Sequence, residues 1–187
     1  MTIAVTFTGG IFLGVVCGAL TNLINHALWG WGWEGYLFII CNIATAFITW
    51  LFMKLFPREL NLTAAPSYTS GVSHKAAYKS SRLGNVMDRV IVLIILSYAL
   101  CLAMSFLGGL IAALILNIST SYNFGGSGIT AFFSATMFKD GTPVLIAEIV
   151  SRIPVNIVDR LISAFAGYGI ALCIRRALVF FPVLTNP

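Results

Sequence analysis

Charge is scarce in this chain: Lys and Arg number 11, Asp and Glu 6, and together they make up 9% of 187 residues. A soluble domain carries roughly a quarter of its residues charged, so a water-exposed globule is excluded as the main form. Cysteine is equally uninformative as chemistry. Cys17, Cys41, Cys101 and Cys173 each fall inside an apolar run, with no metal-type spacing, and read as small packing residues rather than disulfide partners or ligands. His26 has no second ligand at useful spacing, which leaves no metal site. The glycine-rich stretch 122–128 lacks a helix-opening context and a Lys-Ser or Lys-Thr pair, so it is not a phosphate loop. No aromatic-basic platform accompanies the formal net charge of +5, and nucleic acid is not an expected partner. The amino terminus lacks the basic region and small-residue cleavage pattern of a signal peptide, so the first apolar run is expected to be retained.

What the chain has in quantity is apolar surface, with 59% hydrophobic residues and a mean hydropathy of +0.95. Four runs, at about 3–28, 36–56, 90–116 and 154–174, are long enough to cross a hydrocarbon core of about 30 Å. The expected fold is an all-α integral membrane bundle in a single transmembrane domain. Lys54, Arg58, Lys75, Lys79, Arg82 and Arg89 surround the polar stretch 57–87, and Arg175 and Arg176 close the fourth run. By the positive-inside rule these lie in the cytoplasm, together with both termini. Residues 117–153 then lie outside. Their apolar pieces, 129–138 and 144–150, are too short to cross, and residues 139–143 form a turn between them. The expectation is an outer lid of two re-entrant or interfacial pieces; a six-span bundle is the competing reading.

The polar residues within the runs carry the functional signal, because ionised groups at membrane depth are costly. Arg152, Asn156, Asp159 and Ser163 share a helical face at steps of four, three and four, with Arg160 on its flank, Glu148 one turn earlier and Pro154 as a turning point between lid and span. That stripe reads either as a buried ion network fixing the bundle or as the polar wall of an outward-facing pocket. In the first run Gly10, Gly14 and Gly18 recur every four residues, a helix-packing stripe, and the same face continues to Asn22 and His26. In the second, Asn42, Thr45 and Thr49 share a face. The threonines can satisfy themselves on the preceding turn, whereas Asn42 needs an outside partner. Ser105, Gly109 and Ala113 form a further small-residue ridge. Trp29, Trp31, Trp33 and Tyr36 crowd the first outer connector, as interfacial anchors or as a surface for stacking a flat ligand. The candidate solute-binding set is Asn22, His26, Trp31, Trp33, Asn42, Arg152, Asn156, Asp159 and Arg160. Only Asp159, Glu148 and His26 are eligible for catalysis, so an enzyme is not expected. No cofactor is implied.

With its Gly-x-x-x-Gly-x-x-x-Gly stripe followed by Thr21 and Asn22, its long basic inner loop and its 148–176 stretch, the chain resembles the substrate-binding S components of energy-coupling factor (ECF) transporters. The resemblance is diffuse and covers most of the chain. It implies a bundle that captures a vitamin or other micronutrient at the outer face of a bacterial cytoplasmic membrane and docks on a coupling subunit driven by two ATPases. Members have six helices, and the first run here resembles their third. The first two helices are therefore expected to be missing, through truncation or because another polypeptide supplies them, and no position inherits the first helix's contact with the coupling subunit. The same fold resembles the membrane input region of some sensor kinases, which makes a sensory or assembly module the alternative. Membrane lipid and a small solute are the remaining expected partners.

Overall fold

The structure, a computed structural model, describes residues 1–29, 33–60, 75–118 and 129–180, with side chains at all of these except 26, 29, 33, 34, 75–85 and 178–180. In chain order it contains α1 (Thr2–Trp29), a 3-10 turn (Trp33–Phe38), α2 (Ile39–Leu55), the single turn α3 (Pro57–Leu60), α4 (Lys75–Ile118), α5 (Ile129–Lys139) and α6 (Val144–Phe180). Among the described residues there is no strand, and four helices are long and apolar enough to cross a membrane: Thr2–Asn25, Gly35–Leu55, Val86–Ile118 and Val144–Ala177. The chain is a multi-pass membrane protein.

The first of these helices is not straight. Gly10 has φ 80° and ψ −173°, a region essentially reserved for glycine, and the chain reverses there. The reversal is read from the neighbours of two glycines. A Cβ on Gly14 would strike the hydroxyl of Thr6 and lie 3.0 Å from its Cβ, and one on Gly18 would lie 3.3 Å from Thr2 Cγ2. Residues 8 and 16 positions apart on a straight helix would be separated by about 12 and 24 Å. Here the pairs 6 with 14 and 2 with 18 are symmetric about position 10. A short arm, residues 2–9, thus lies back along a long arm, residues 11–29. The long arm rises about 28 Å, still enough to cross. The expected unbroken run 3–28 is corrected accordingly: Gly14 and Gly18 are packing glycines, but Gly10 is the turn.

Against the same glycine face of the long arm, α2 runs antiparallel with an equally fixed register. A Cβ on Gly14 would lie 3.3 Å from Ala46 Cβ, and one on Gly18 3.0 Å from Asn42 Cβ. Because one added Cβ would meet both neighbours, the short arm and α2 lie side by side against one face of the long arm, and Gly14 and Gly18 sit in the seam where the three segments meet. Asn42 finds its outside partner in this seam, with Nδ2 donating to Gly18 O at 3.2 Å. Hydroxyls of these segments bond back to their own helices, Thr6 to Thr2 O at 2.8 Å, Thr45 to Cys41 O at 3.0 Å and Thr49 to Thr45 O at 2.8 Å. Such self-satisfied groups can be buried in an apolar interior at little cost.

α4 and α6 pack antiparallel along the opposite side of the bundle. The small-residue ridge on α4 sets their approach, since a Cβ on Gly109 would lie 2.8 Å from Ile149 Cα. The short arm meets α6 at Gly167, where a Cβ would lie 3.1 Å from Ile3 Cβ, and its Phe7 packs edge-on against Tyr168 at 5.5 Å. Around that contact a dry cluster of Ile3, Phe7, Leu60, Leu93, Leu96, Leu100 and Ala171 fills the bundle. Tyr168 in turn donates to Glu59 O at 3.5 Å, tying α6 to α3.

Two expected loops are partly helical. The stretch 57–87 opens with α3 and closes with the first turns of α4, and 61–74 lies outside the described residues. In the expected lid, α5 is the short non-crossing piece at 129–139, capped by Gly141 (φ 85°) with Thr142 N–H donating to Met137 O at 3.1 Å. Residues 144–153, however, are the opening turns of α6 and not a second lid piece, because Pro154 sits inside a continuous helix. A proline removes one ladder donor, a loss that packed transmembrane helices tolerate.

Replacing Gly14 with Ala is expected to lower thermal stability in detergent by about 1–3 kcal/mol, the usual cost of overpacking. Gly169→Ala, whose added Cβ would meet nothing within 4 Å, is expected to change it by less than about 0.5 kcal/mol. Equal effects from the two substitutions would contradict the three-segment seam.

Candidate functional site

The polar stripe of α6 divides between two environments because its neighbour changes along its length. At the first turns the neighbours are α4 and α5. Glu148, with 0% of its side chain exposed, pairs with Arg152 at 3.1 Å, itself 15% exposed. Asn156 Nδ2 donates to Ser105 Oγ at 2.9 Å, and Ser151 and Ser134 share a hydrogen bond of 2.7 Å that fastens α5 to α6. The pair is not fully satisfied: Glu148 Oε1 and Arg152 Nε have no partner among the described residues. This half of the stripe is a structural network. Arg152 and Asn156, expected on a solute-binding wall, are engaged in it and do not line the cavity.

Past Asn156 the neighbour on this face becomes α1, with α2 facing α6 across a cavity of about 580 Å³. Residues 1–4 of the short arm form one end of the cavity, and Thr21, Asn22, Asn25, Asn42 and Thr45 one wall. Asp159, Arg160, Ile162, Ser163, Ala166, Gly167 and Ile170 of α6 form the other. Within it Asp159 Oδ2 accepts from Arg160 at 3.1 Å and Asp159 Oδ1 from Ser163 at 3.5 Å. Asp159 is 51% exposed and Arg160 22%, so both reach open space rather than a closed core. Arg160 Nε and Asn22 Nδ2 have no hydrogen-bond partner among the described residues.

Of the nine candidate residues, Asn22, Asn42, Asp159 and Arg160 are brought together here. Trp31 and the side chains of His26 and Trp33 lie outside the described residues, as does the glycine-rich stretch 122–128. The contribution of Thr2 was not anticipated. Its signal is the Gly9-Gly10 pair, a turn dipeptide, with Thr2 and Thr6 spaced four apart to match Gly18 and Gly14. Among the described residues no group of three His, Cys, Asp or Glu could hold a metal ion.

With an anion, a cation and side-chain amides converging on one space, the arrangement could hydrogen-bond a polar group. Comparison with family models, curated proteins and solved structures gives no match.

If the Glu148–Arg152 pair is structural, Arg152→Met is expected to destabilise the fold by about 3–5 kcal/mol by stranding a buried carboxylate, and adding Glu148→Gln to recover most of that loss. Thermal unfolding of the two variants in the same detergent measures it. A double variant no more stable than the single one would contradict the assignment.

Proposed function

We propose that the chain captures a small solute in the cavity between α1, α2 and α6 and acts as the specificity subunit of an uptake system for a micronutrient or vitamin. The observation that carries this reading is the polar cavity itself. Asp159, Arg160, Asn22 and Asn42 line about 580 Å³ within helices that are otherwise apolar, and polar groups at that depth are retained for a use. The second support is that the groove is closed on the side of residues 3–7, by the short arm and the cluster around Phe7 and Tyr168. A solute can enter and stop, which suits capture and delivery to a partner better than conduction. In this reading the cavity opens outward in a bacterial cytoplasmic membrane, which puts Met1, at its edge, toward the outside and not in the cytoplasm as the positive-inside rule suggests, and a coupling subunit with ATPases completes the transporter.

A second reading draws on the half-exposed side chain of Asp159 within a span. Another polypeptide, supplying further helices, covers that side, and the chain is a sensory or assembly module. Copurification separates the two: ATPases and a coupling subunit accompany a transporter, a kinase or a large complex accompanies a module.

In a background without native cysteines, Asn25→Cys is expected to react with an impermeant thiol reagent added from outside, and to be protected by the small molecule that native mass spectrometry finds on the purified protein. Asp159→Ala is expected to lose that molecule while remaining folded. Reaction from the cytoplasmic side alone, or solute retained by Asp159→Ala, contradicts the capture reading.

A further inference from the structure

The cavity is polar at one end and apolar along its side, and that side is the outward face of α6. Asp159, Arg160 and Asn22 occupy the polar end. From there Ile162, Ala166 and Ile170 follow at steps of four, one stripe about 12 Å long. Ile162 and Ile170 are among the exposed large apolar side chains, at 62% and 48%. In a membrane-spanning helix an exposed apolar face is a lipid-facing one, so the cavity opens sideways onto hydrocarbon as well as along the bundle. Water-soluble solutes have no use for such a wall.

The polar end also has a direction. Asp159 already accepts from Arg160 and Ser163, one bond to each carboxylate oxygen. Arg160 gives Asp159 one nitrogen and keeps Nε without an acceptor. The guanidinium fork matches a planar acid group, which it can take with two parallel hydrogen bonds. Among the described residues of the cavity, the buried polar atoms without a partner, Arg160 Nε and Asn22 Nδ2, are both donors.

Building on the capture reading, we propose that the captured solute is an amphiphilic acid: a carboxylate head seated on Arg160 and Asn22, and an apolar tail lying over Ile162, Ala166 and Ile170 toward the bilayer. The tail covers apolar surface that would otherwise face lipid. Asp159 holds the guanidinium in place through its 3.1 Å pair, and the head takes the remaining donors of Arg160, so loss of Asp159 also loses the seat for the head.

The test is photolabelling of the full chain in lipid nanodiscs with a diazirine-bearing medium-chain fatty acid, set against the amine of the same chain. Adducts are located by peptide mass spectrometry. The acid probe is expected to enrich adducts at 162–170 over the lipid-facing Leu102 and Phe106 of α4, which are exposed but line no part of this cavity. Octanoate is expected to displace it, and acetate not. Arg160→Leu is expected to reduce the enrichment at least severalfold. Arg160→Lys, which keeps the charge and loses the fork, should restore part of it; Asn22→Leu reports on the same head from the other wall if Arg160→Leu fails to fold. Enrichment by the amine as strong as by the acid, displacement by acetate, or adducts spread evenly over all lipid-facing helices would overturn the amphiphilic acid. The first two of these would leave the cavity a binding site, so the capture reading would survive them. Its own failure is read separately, from the outside reactivity and solute protection of Asn25→Cys.

Discussion

Two missing side chains hold this bundle together. At Gly14 and Gly18 the long arm of α1 presents bare backbone on one face, and the short arm and α2 both come close enough to that face that a Cβ would crowd them. Because lipid tails are as apolar as Leu, helices in a membrane gain nothing from hiding apolar surface against one another. Close van der Waals packing and interhelical hydrogen bonds must supply the attraction. The three-segment seam provides both, with Asn42 donating to the Gly18 carbonyl at the point of closest approach. The reversal at Gly10 makes the seam possible, since no other residue adopts its backbone angles without strain.

The cavity adjoins that seam. Residues 1–4 of the short arm border it, and polar residues begin one turn past the packed glycines along each wall. Asn22 follows Gly18 by four residues, and Asp159 and Ser163 precede the Gly167 contact by eight and four. The same helical repeat that packs the arm against small residues therefore delivers polar side chains to the cavity beside it. Packing and site are two stretches of one pattern.

Much of the architecture could be read from the residues. The four apolar regions are where crossing-length helices form, α5 is too short to cross, and the ridge at Ser105, Gly109 and Ala113 meets α6. What could not be read were relations between segments. A glycine every four residues looks alike whether the helix continues through Gly10 or folds back there, since periodicity reports a face and not its partner. The stripe from Arg152 to Ser163 looks like one wall because its spacing is regular. Only the change of neighbour, from Ser105 and Gly108 of α4 to the short arm of α1, splits it into a buried network and a cavity wall. Pro154 suggested a boundary through its missing donor, yet α6 continues through it, with Pro154 itself exposed.

The hairpin in α1 is the claim on which the cavity, its blocked end and its binding chemistry rest. It is tested most directly by the distance between spin labels at Met1 and Asn25, placed by cysteine substitution in protein lacking native cysteines and reconstituted in lipid. Both positions line the same cavity, so the account predicts a short separation. A single narrow distribution near about 36 Å, the rise of an unbroken helix between them, would contradict it.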